Sequence, residues 1–292
     1  MKKVLIYEMF MRDGLQSLSK IYSYDEKVLF LNKLLKSNIK NIEFGSTTNP
    51  KLLPQMKDSY EILNYIKENN LDKEEYKFTM LISNINNLKK CIELNLKSFG
   101  LLCSLDDDFS YKNLNKSSLD SLNTMLEQLN FILNKDETKK LHIRLYISFA
   151  FNENNNDLLI LLNKINDILN FTQIDSEYLD IVLCDTIAIV NEIILENSLN
   201  CILNNNKELI KYLSLHFHRK NDFENLINIA LKYGINKFDS SILNVGGCPF
   251  SEDDKQNINT IKLIKHLYKN NYETNIDINL LESIEKDIEE LL

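Results

Sequence analysis

The stretch YLSLHFHRKNDFENLINIALKYG at 212–234 holds one complete structural unit. Residues 212–217 form a short apolar and aromatic run that reads as a strand. His218, Arg219, Lys220 and Asn221 break it, and residues 222–233 then place Phe223, Leu226, Ile227 and Ala230 at helical spacing before Gly234 closes the pattern.

The same alternation extends in both directions. Strands are predicted at 3–9, 40–45, 76–81, 97–103, 141–149, 178–184, 212–217 and 236–242. Helices are predicted near 25–37, 58–69, 85–95, 117–134, 154–170, 191–204 and 222–233, with an eighth near 254–270. Strand–helix alternation implies a parallel sheet covered by helices, and eight such units close a barrel. A doubly wound open sheet is the competing architecture, but no G-x-G-x-x-G follows the first strand. The expected fold is therefore α/β: a (β/α)8 barrel forming one catalytic domain over 1–292, with an additional C-terminal helix. That helix, at 277–292, aligns Leu280, Leu281, Ile284, Ile288 and Leu291 on one face, to pack on the barrel or, in a homodimer, on a second subunit.

Bulk properties narrow the function classes. A net charge of −8 argues against a nucleic-acid surface, although a local site can still take a small anion. The five cysteines, Cys91, Cys103, Cys184, Cys201 and Cys248, include no C-x-x-C pair, which fits free thiols in a reducing compartment. No apolar run has transmembrane length, and the V-L-I-Y run at 4–7 is too short for a signal-peptide core, so a cytoplasmic protein without a membrane partner is expected.

In such barrels chemistry sits at the carboxyl ends of the strands. The first strand ends in Arg12-Asp13, a cation beside a metal-capable carboxylate, equally readable as a salt-bridged turn. The seventh carries His216 and His218. Alternate strand residues share a face, so the two imidazoles can meet one metal ion. The other histidines, His142 and His266, lie elsewhere and read as structural. After the eighth strand, Gly246-Gly247-Cys248-Pro249 suggests a mobile loop presenting a thiol for proton transfer or nucleophilic attack; a buried thiol behind a turn is the plainer reading. Glu43 and Ser46, Cys184 and Asp185, and Arg144 with Tyr146 and Ser148 could line a site, or serve as barrel packing and helix caps.

Taken in order, these motifs resemble the 3-hydroxy-3-methylglutaryl-CoA lyase family of metal-dependent barrels. The resemblance rests on E-x-x-x-R-D-G-L-Q at 8–16, I-E-x-x-S at 42–46, N-P-K-x-x-P-Q-M at 49–56, D-T-I at 185–187, H-x-H at 216–218 and D-S-S-x-x-x-x-G-G-C-P at 239–249. It implies that Asp13, His216, His218 and Asn257 would ligate Mg2+ or Mn2+, which mixed nitrogen and oxygen donors suit. It further implies retro-Claisen cleavage of an acyl-CoA to acetyl-CoA and a keto acid. Arg12 would stabilise the enolate, Cys248 would move a proton to or from it, and His216 would join the proton path with Glu43 and Asp185 close by. Gln16, Ser46 and Arg144 would join Arg12 in lining the substrate site.

The chain departs from the family pattern at Arg219-Lys220, at Phe151 to Asn154, and at Val182, Asn244 and Ile261. These changes spare the ligand set and alter substrate-facing positions. The alternatives are a related metal-dependent aldolase or lyase acting on another acyl-CoA or keto acid, and a non-catalytic barrel serving as a binding module.

Overall fold

A computed structural model describes residues 2–136, 140–151, 155–219, 221–247 and 256–292. Its eight barrel strands are β1 (Leu5–Glu8), β2 (Asn41–Ser46), β3 (Lys77–Ile82), β4 (Ser98–Ser104), β5 (His142–Ser148), β6 (Leu179–Asp185), β7 (Leu213–Phe217) and β8 (Lys237–Ser240). They pair in sequence order and close into a barrel, as the strand–helix alternation requires. The β8–β1 pairing is parallel and runs from Lys237 opposite Leu5 to Ser240 opposite Glu8. A register shift between Glu43 and Gly45 interrupts the pairing of β2 with β3.

The main helices are α1 (Tyr24–Lys36), α2 (Ser59–Glu68), α3 (Ile85–Glu93), α4 (Ser118–Lys135), α5 (Asn156–Thr172), α6 (Glu192–Asn206), α7 (Glu224–Lys232), α8 (Thr260–Lys269) and α9 (Ile278–Glu289). A short helix, Asp107–Leu114, precedes α4 where the sequence shows no periodic apolar face.

The abundance of asparagine has a structural use. Asn84, Asn191 and Asn259 cap α3, α6 and α8 with side-chain oxygens. Asn38, Asn70, Asn95, Asn115, Asn271 and Asn275 take positive φ, several of them directly after helices. In a chain with six glycines, asparagine performs much of the left-handed turning that glycine performs elsewhere.

Contacts gather the chain into two compact units. The first comprises 1–81, 217–224 and 236–292. Its core includes Phe10, Phe30 and Tyr22, with ring centroids 5.6 Å apart for Phe10–Phe30 and 5.4 Å for Tyr22–Phe30, both edge-on. Helix α9 belongs to this unit and buries Leu281, Ile284 and Ile288, while Leu280 and Leu291 stay partly open to solvent. Five apolar residues were expected on that face. Only the narrower i, i+3, i+7 stripe is fully covered, because Leu280 lies about 100° of helical turn away from Leu281.

The second unit comprises 82–216 and 225–235. At its centre β4, β5 and β6 bury Leu101, Ile143, Leu145 and Ile181. Among the described residues, no helix is long and apolar enough to cross a membrane.

Candidate metal centre

The β1 strand ends at Glu8, and the chain then makes a single π-helical turn, Phe10–Gly14. The Gly14 amide donates to the Met9 carbonyl at 3.0 Å, an i→i+5 bond. Such turns often mark functional sites because they displace side chains from the regular helical rows. Here the turn carries Arg12 and Asp13, both buried. Gly14 must lack a side chain, since a Cβ would lie 2.9 Å from Val245 and 3.3 Å from the Ser241 hydroxyl.

Arg12 is held at two points. Its Nε donates to Glu43 Oε1 at 2.8 Å and its Nη1 to Asp13 Oδ1 at 2.7 Å. Glu43 is presented by the β2 irregularity beside Gly45, where a Cβ would come within 2.5 Å of the Ser59 hydroxyl. The other Asp13 oxygen, Oδ2, accepts from Asn257 Nδ2 at 2.7 Å and from the Gly247 amide at 3.1 Å. Gly246 makes this approach possible, with φ +115°. The structure thus places Asn257 directly against Asp13, with its Nδ2 also donating to the Val245 carbonyl at 3.1 Å. The amide oxygen is the atom Asn257 would offer to a metal.

His216 lies in β7 and His218 just beyond it, both buried. Asp13, His216 and His218 each offer one ligand atom, and the three atoms lie within 4.8 Å of one another. Two imidazoles and a carboxylate form a mixed N/O set that suits a divalent cation, with Asn257 able to add an oxygen donor.

Asn244 stands where the resemblance implies a glycine. It adopts φ 59°, a left-handed conformation that asparagine tolerates, and donates from Nδ2 to the Asn257 carbonyl at 3.3 Å. Its side chain adds a hydrogen bond that a glycine could not make.

Other expected site residues have partners of their own. Ser46 Oγ lies 2.8 Å from Thr48 Oγ1 and accepts from the Thr48 amide at 3.1 Å. Asp185 accepts from the amide of Ile189 at 2.9 Å, organising the turn after β6. Gln16 is half-buried one turn beyond Asp13. Arg144, expected to line the substrate site, is completely buried. Its guanidinium reaches Asp180 at 3.3 Å, the Tyr146 hydroxyl at 2.8 Å and Ser214 at 3.2 Å. That position is interior: the cation is matched by Asp180, and Tyr146 turns its ring edge toward His216 with centroids 6.4 Å apart. His142 joins the same network, bonded to Ser98 at 2.8 Å and Asp180 at 3.1 Å. Cys248 lies outside the described residues. Burial pushes the Cys103 thiol up to about 12, which leaves it protonated and inert at neutral pH.

Sequence reasoning assigned no role of its own to Glu8. Its carboxylate is fully buried and joins two segments of the site: Oε1 accepts from the amides of Phe10 and Ile242, each at 3.0 Å, and Oε2 accepts from the Thr260 hydroxyl at 2.6 Å. An acidic residue at the last position of a barrel strand was the available signal. Burial raises its pKa from 4.5 to about 7, opposed by the bonds from Thr260, Ile242 and Phe10 and reinforced by the charge of Glu285.

Between those two pH values the folded protein binds more protons than the unfolded chain, so rising pH removes stability. The full difference corresponds to about 3 kcal/mol, since one pKa unit is worth about 1.4 kcal/mol. Glu8→Gln mimics the protonated acid. Chemical denaturation in EDTA should show this variant gaining on the wild type as pH rises from 4 to 8, and parallel stability profiles would remove Glu8 as the titrating group.

A family model described as HMGL-like matches residues 3–288. The chain is 28% identical over 295 residues to a hydroxymethylglutaryl-CoA lyase of Bacillus subtilis, covering 99% of this chain and 93% of that protein. It is 26% identical over 265 residues to the mitochondrial hydroxymethylglutaryl-CoA lyase of Homo sapiens, covering 90% of this chain and 78% of that one. Its fold matches a crystal structure of the Bacillus subtilis HMG-CoA lyase with TM-score 0.83 at 27% identity, over 99% of this chain and 94% of that chain.

Proposed function

Because the chain belongs to the HMGL-like family and is a lyase, we propose that it cleaves 3-hydroxy-3-methylglutaryl-CoA to acetyl-CoA and acetoacetate, with residues 1–292 acting as one catalytic domain. The observation that carries the reading is the placement of Arg12, clamped by Glu43 and Asp13, beside a carboxylate grouped with two imidazoles.

In this reaction the tertiary hydroxyl of the substrate loses its proton and its carbon becomes the ketone of acetoacetate. The bond to the thioester α-carbon breaks, the electron pair departs as the enolate of acetyl-CoA, and a proton then reaches that carbon. A divalent cation, Mg2+ or Mn2+, held by Asp13, His216, His218 and Asn257 would supply the Lewis acidity that eases loss of the hydroxyl proton.

The chain's own groups do the rest. Arg12 presents a fixed cation to the enolate oxygen, where charge develops. Glu43 keeps the guanidinium from swinging away, because it grips Nε while Asp13 grips Nη1. The Gly247 amide and the Asn257 side chain hold Asp13 from the opposite side, which fixes the direction of its remaining donor capacity. Proton transfer is assigned to His216, Asp185 and Cys248, with Cys248 serving the departing carbon. Gln16 and Ser46 contribute to substrate binding.

The test is product analysis with 3-hydroxy-3-methylglutaryl-CoA. Acetyl-CoA and acetoacetate should form with Mg2+ or Mn2+ and stop on addition of EDTA. Tight metal binding without these products would instead indicate another acyl-CoA or keto acid, consistent with the apolar Val182 and Ile261 at positions where the family carries polar residues. A chain that binds no metal and turns nothing over would be a binding module.

A further inference from the structure

We propose that Glu285, on the C-terminal helix α9, is a positioning residue for the metal centre: its carboxylate sets the backbone of the loop that brings Asn257 and the Gly247 amide to Asp13. The inference rests on the metal reading above and goes beyond the family motifs, none of which reaches α9.

The loop leaves β8 at Ser241 and returns at Asn257 to Thr260. Its two ends lie side by side, with the Ser241 amide donating to the Ile258 carbonyl at 2.9 Å and a parallel bridge between Ser241 and Asn259. Between them Leu243 has φ 60° and Asn244 has φ 59°. A left-handed leucine is unfavourable because its Cβ crowds the following carbonyl, so surrounding contacts must hold it there.

Glu285 supplies such a contact. Its Oε1 accepts from the Leu243 amide at 2.7 Å and from Asn259 Nδ2 at 2.8 Å, tying the outgoing and returning ends to one atom. From the opposite side Glu8 grips the neighbouring positions, Ile242 and Thr260. The loop is therefore braced at 242 and 243 on the way out and at 259 and 260 on the way back.

The consequence reaches the site in one step. Asn244, next to Leu243, donates to the Asn257 carbonyl, and Asn257, two residues before Asn259, donates to Asp13. If Leu243 relaxes to an ordinary conformation, Asn244 is re-aimed and the Asn257 and Gly247 donors move off Asp13. Neither of these two Glu285 bonds ends on Asp13 or a histidine, so its effect on metal binding passes through the loop.

Both bonds end on one oxygen, which makes the idea testable by a conservative replacement. Glu285→Gln keeps an oxygen acceptor for both donors, whereas Glu285→Ala removes it. Mn2+ affinity of the full chain is measured by titration calorimetry, together with amide hydrogen exchange of the metal-free protein. Glu285→Ala should weaken Mn2+ binding about tenfold and speed exchange at Leu243, while Glu285→Gln should restore both.

Wild-type Mn2+ affinity in Glu285→Ala, or equal loss in the alanine and glutamine variants, would overturn the proposal. A wild-type chain that binds no Mn2+ would reject the metal reading instead. The brace itself is then decided by exchange at Leu243, where unchanged protection in Glu285→Ala counts against it and lost protection restored by glutamine supports it.

Discussion

Arg12→Gln is expected to lower kcat for thioester cleavage by about 10³-fold while leaving Mn2+ affinity within a few-fold of the wild type. The size follows from removing a preorganised donor at developing negative charge, which costs on the order of 10²–10³ in rate in comparable sites, and here the full charge is lost as well. Stability should fall too. Arg12 is buried between Asp13 and Glu43, and deleting the cation leaves two buried carboxylates facing each other, a change worth about 3–5 kcal/mol when a buried pair is broken.

These two effects can be separated with Arg12→Lys. Lysine restores the charge and part of the stability, but its ammonium cannot grip Glu43 through Nε and Asp13 through Nη1 together. Thermal denaturation should therefore recover in the lysine variant while kcat stays low in both. A glutamine variant that stays folded and turns over within tenfold of the wild type would take Arg12 out of the reaction.

The architecture was legible because strand and helix periods alternate eight times, and each predicted strand coincides with an observed one within a residue or two. The helices followed for the same reason, with two exceptions: Asp107–Leu114 is a short segment burying only Ser110, and the helix expected near 254–270 begins at Thr260, where Asn259 caps it, with 254 and 255 outside the described residues. Near the site, legibility tracked chemistry rather than geometry. Arg12 and the two histidines stood out as scarce residue types at strand ends, with Asp13 beside Arg12, and the structure brings Asp13, His216 and His218 together.

What the residues alone could not show was which polar groups hold which backbone segments. Arg144 could be read either as site lining or as barrel packing, and the carboxylate directly opposite it on the neighbouring strand, Asp180, pairs with it inside the barrel. Glu8 ends a strand and Glu285 lies on the C-terminal helix. Their roles depend on distant donors at Ile242, Leu243, Asn259 and Thr260, and such long-range pairing leaves no periodic trace in a single sequence.

Gly246 offers the largest expected effect on the metal centre from one methyl group. Its φ of +115° lies where side chains are strained, and a Cβ there would sit 2.1 Å from Asn257 Nδ2 and 2.6 Å from Asp13 Oδ2. Neither neighbour can yield without breaking the bond between them, so Gly246→Ala should weaken Mn2+ binding by about 100-fold, or about 2.7 kcal/mol, and lower stability by about 1–3 kcal/mol through backbone strain. Gly234→Ala provides the comparison. Gly234 has φ +91°, but a Cβ there would meet Ile210 Cγ2 at 3.6 Å, an ordinary contact distance. That variant should lose stability from backbone strain and keep wild-type Mn2+ affinity. If calorimetry finds the same affinity in both alanine variants, the glycine serves the turn alone; if only Gly246→Ala loses the metal, the absent side chain is what lets Asn257 and Asp13 meet.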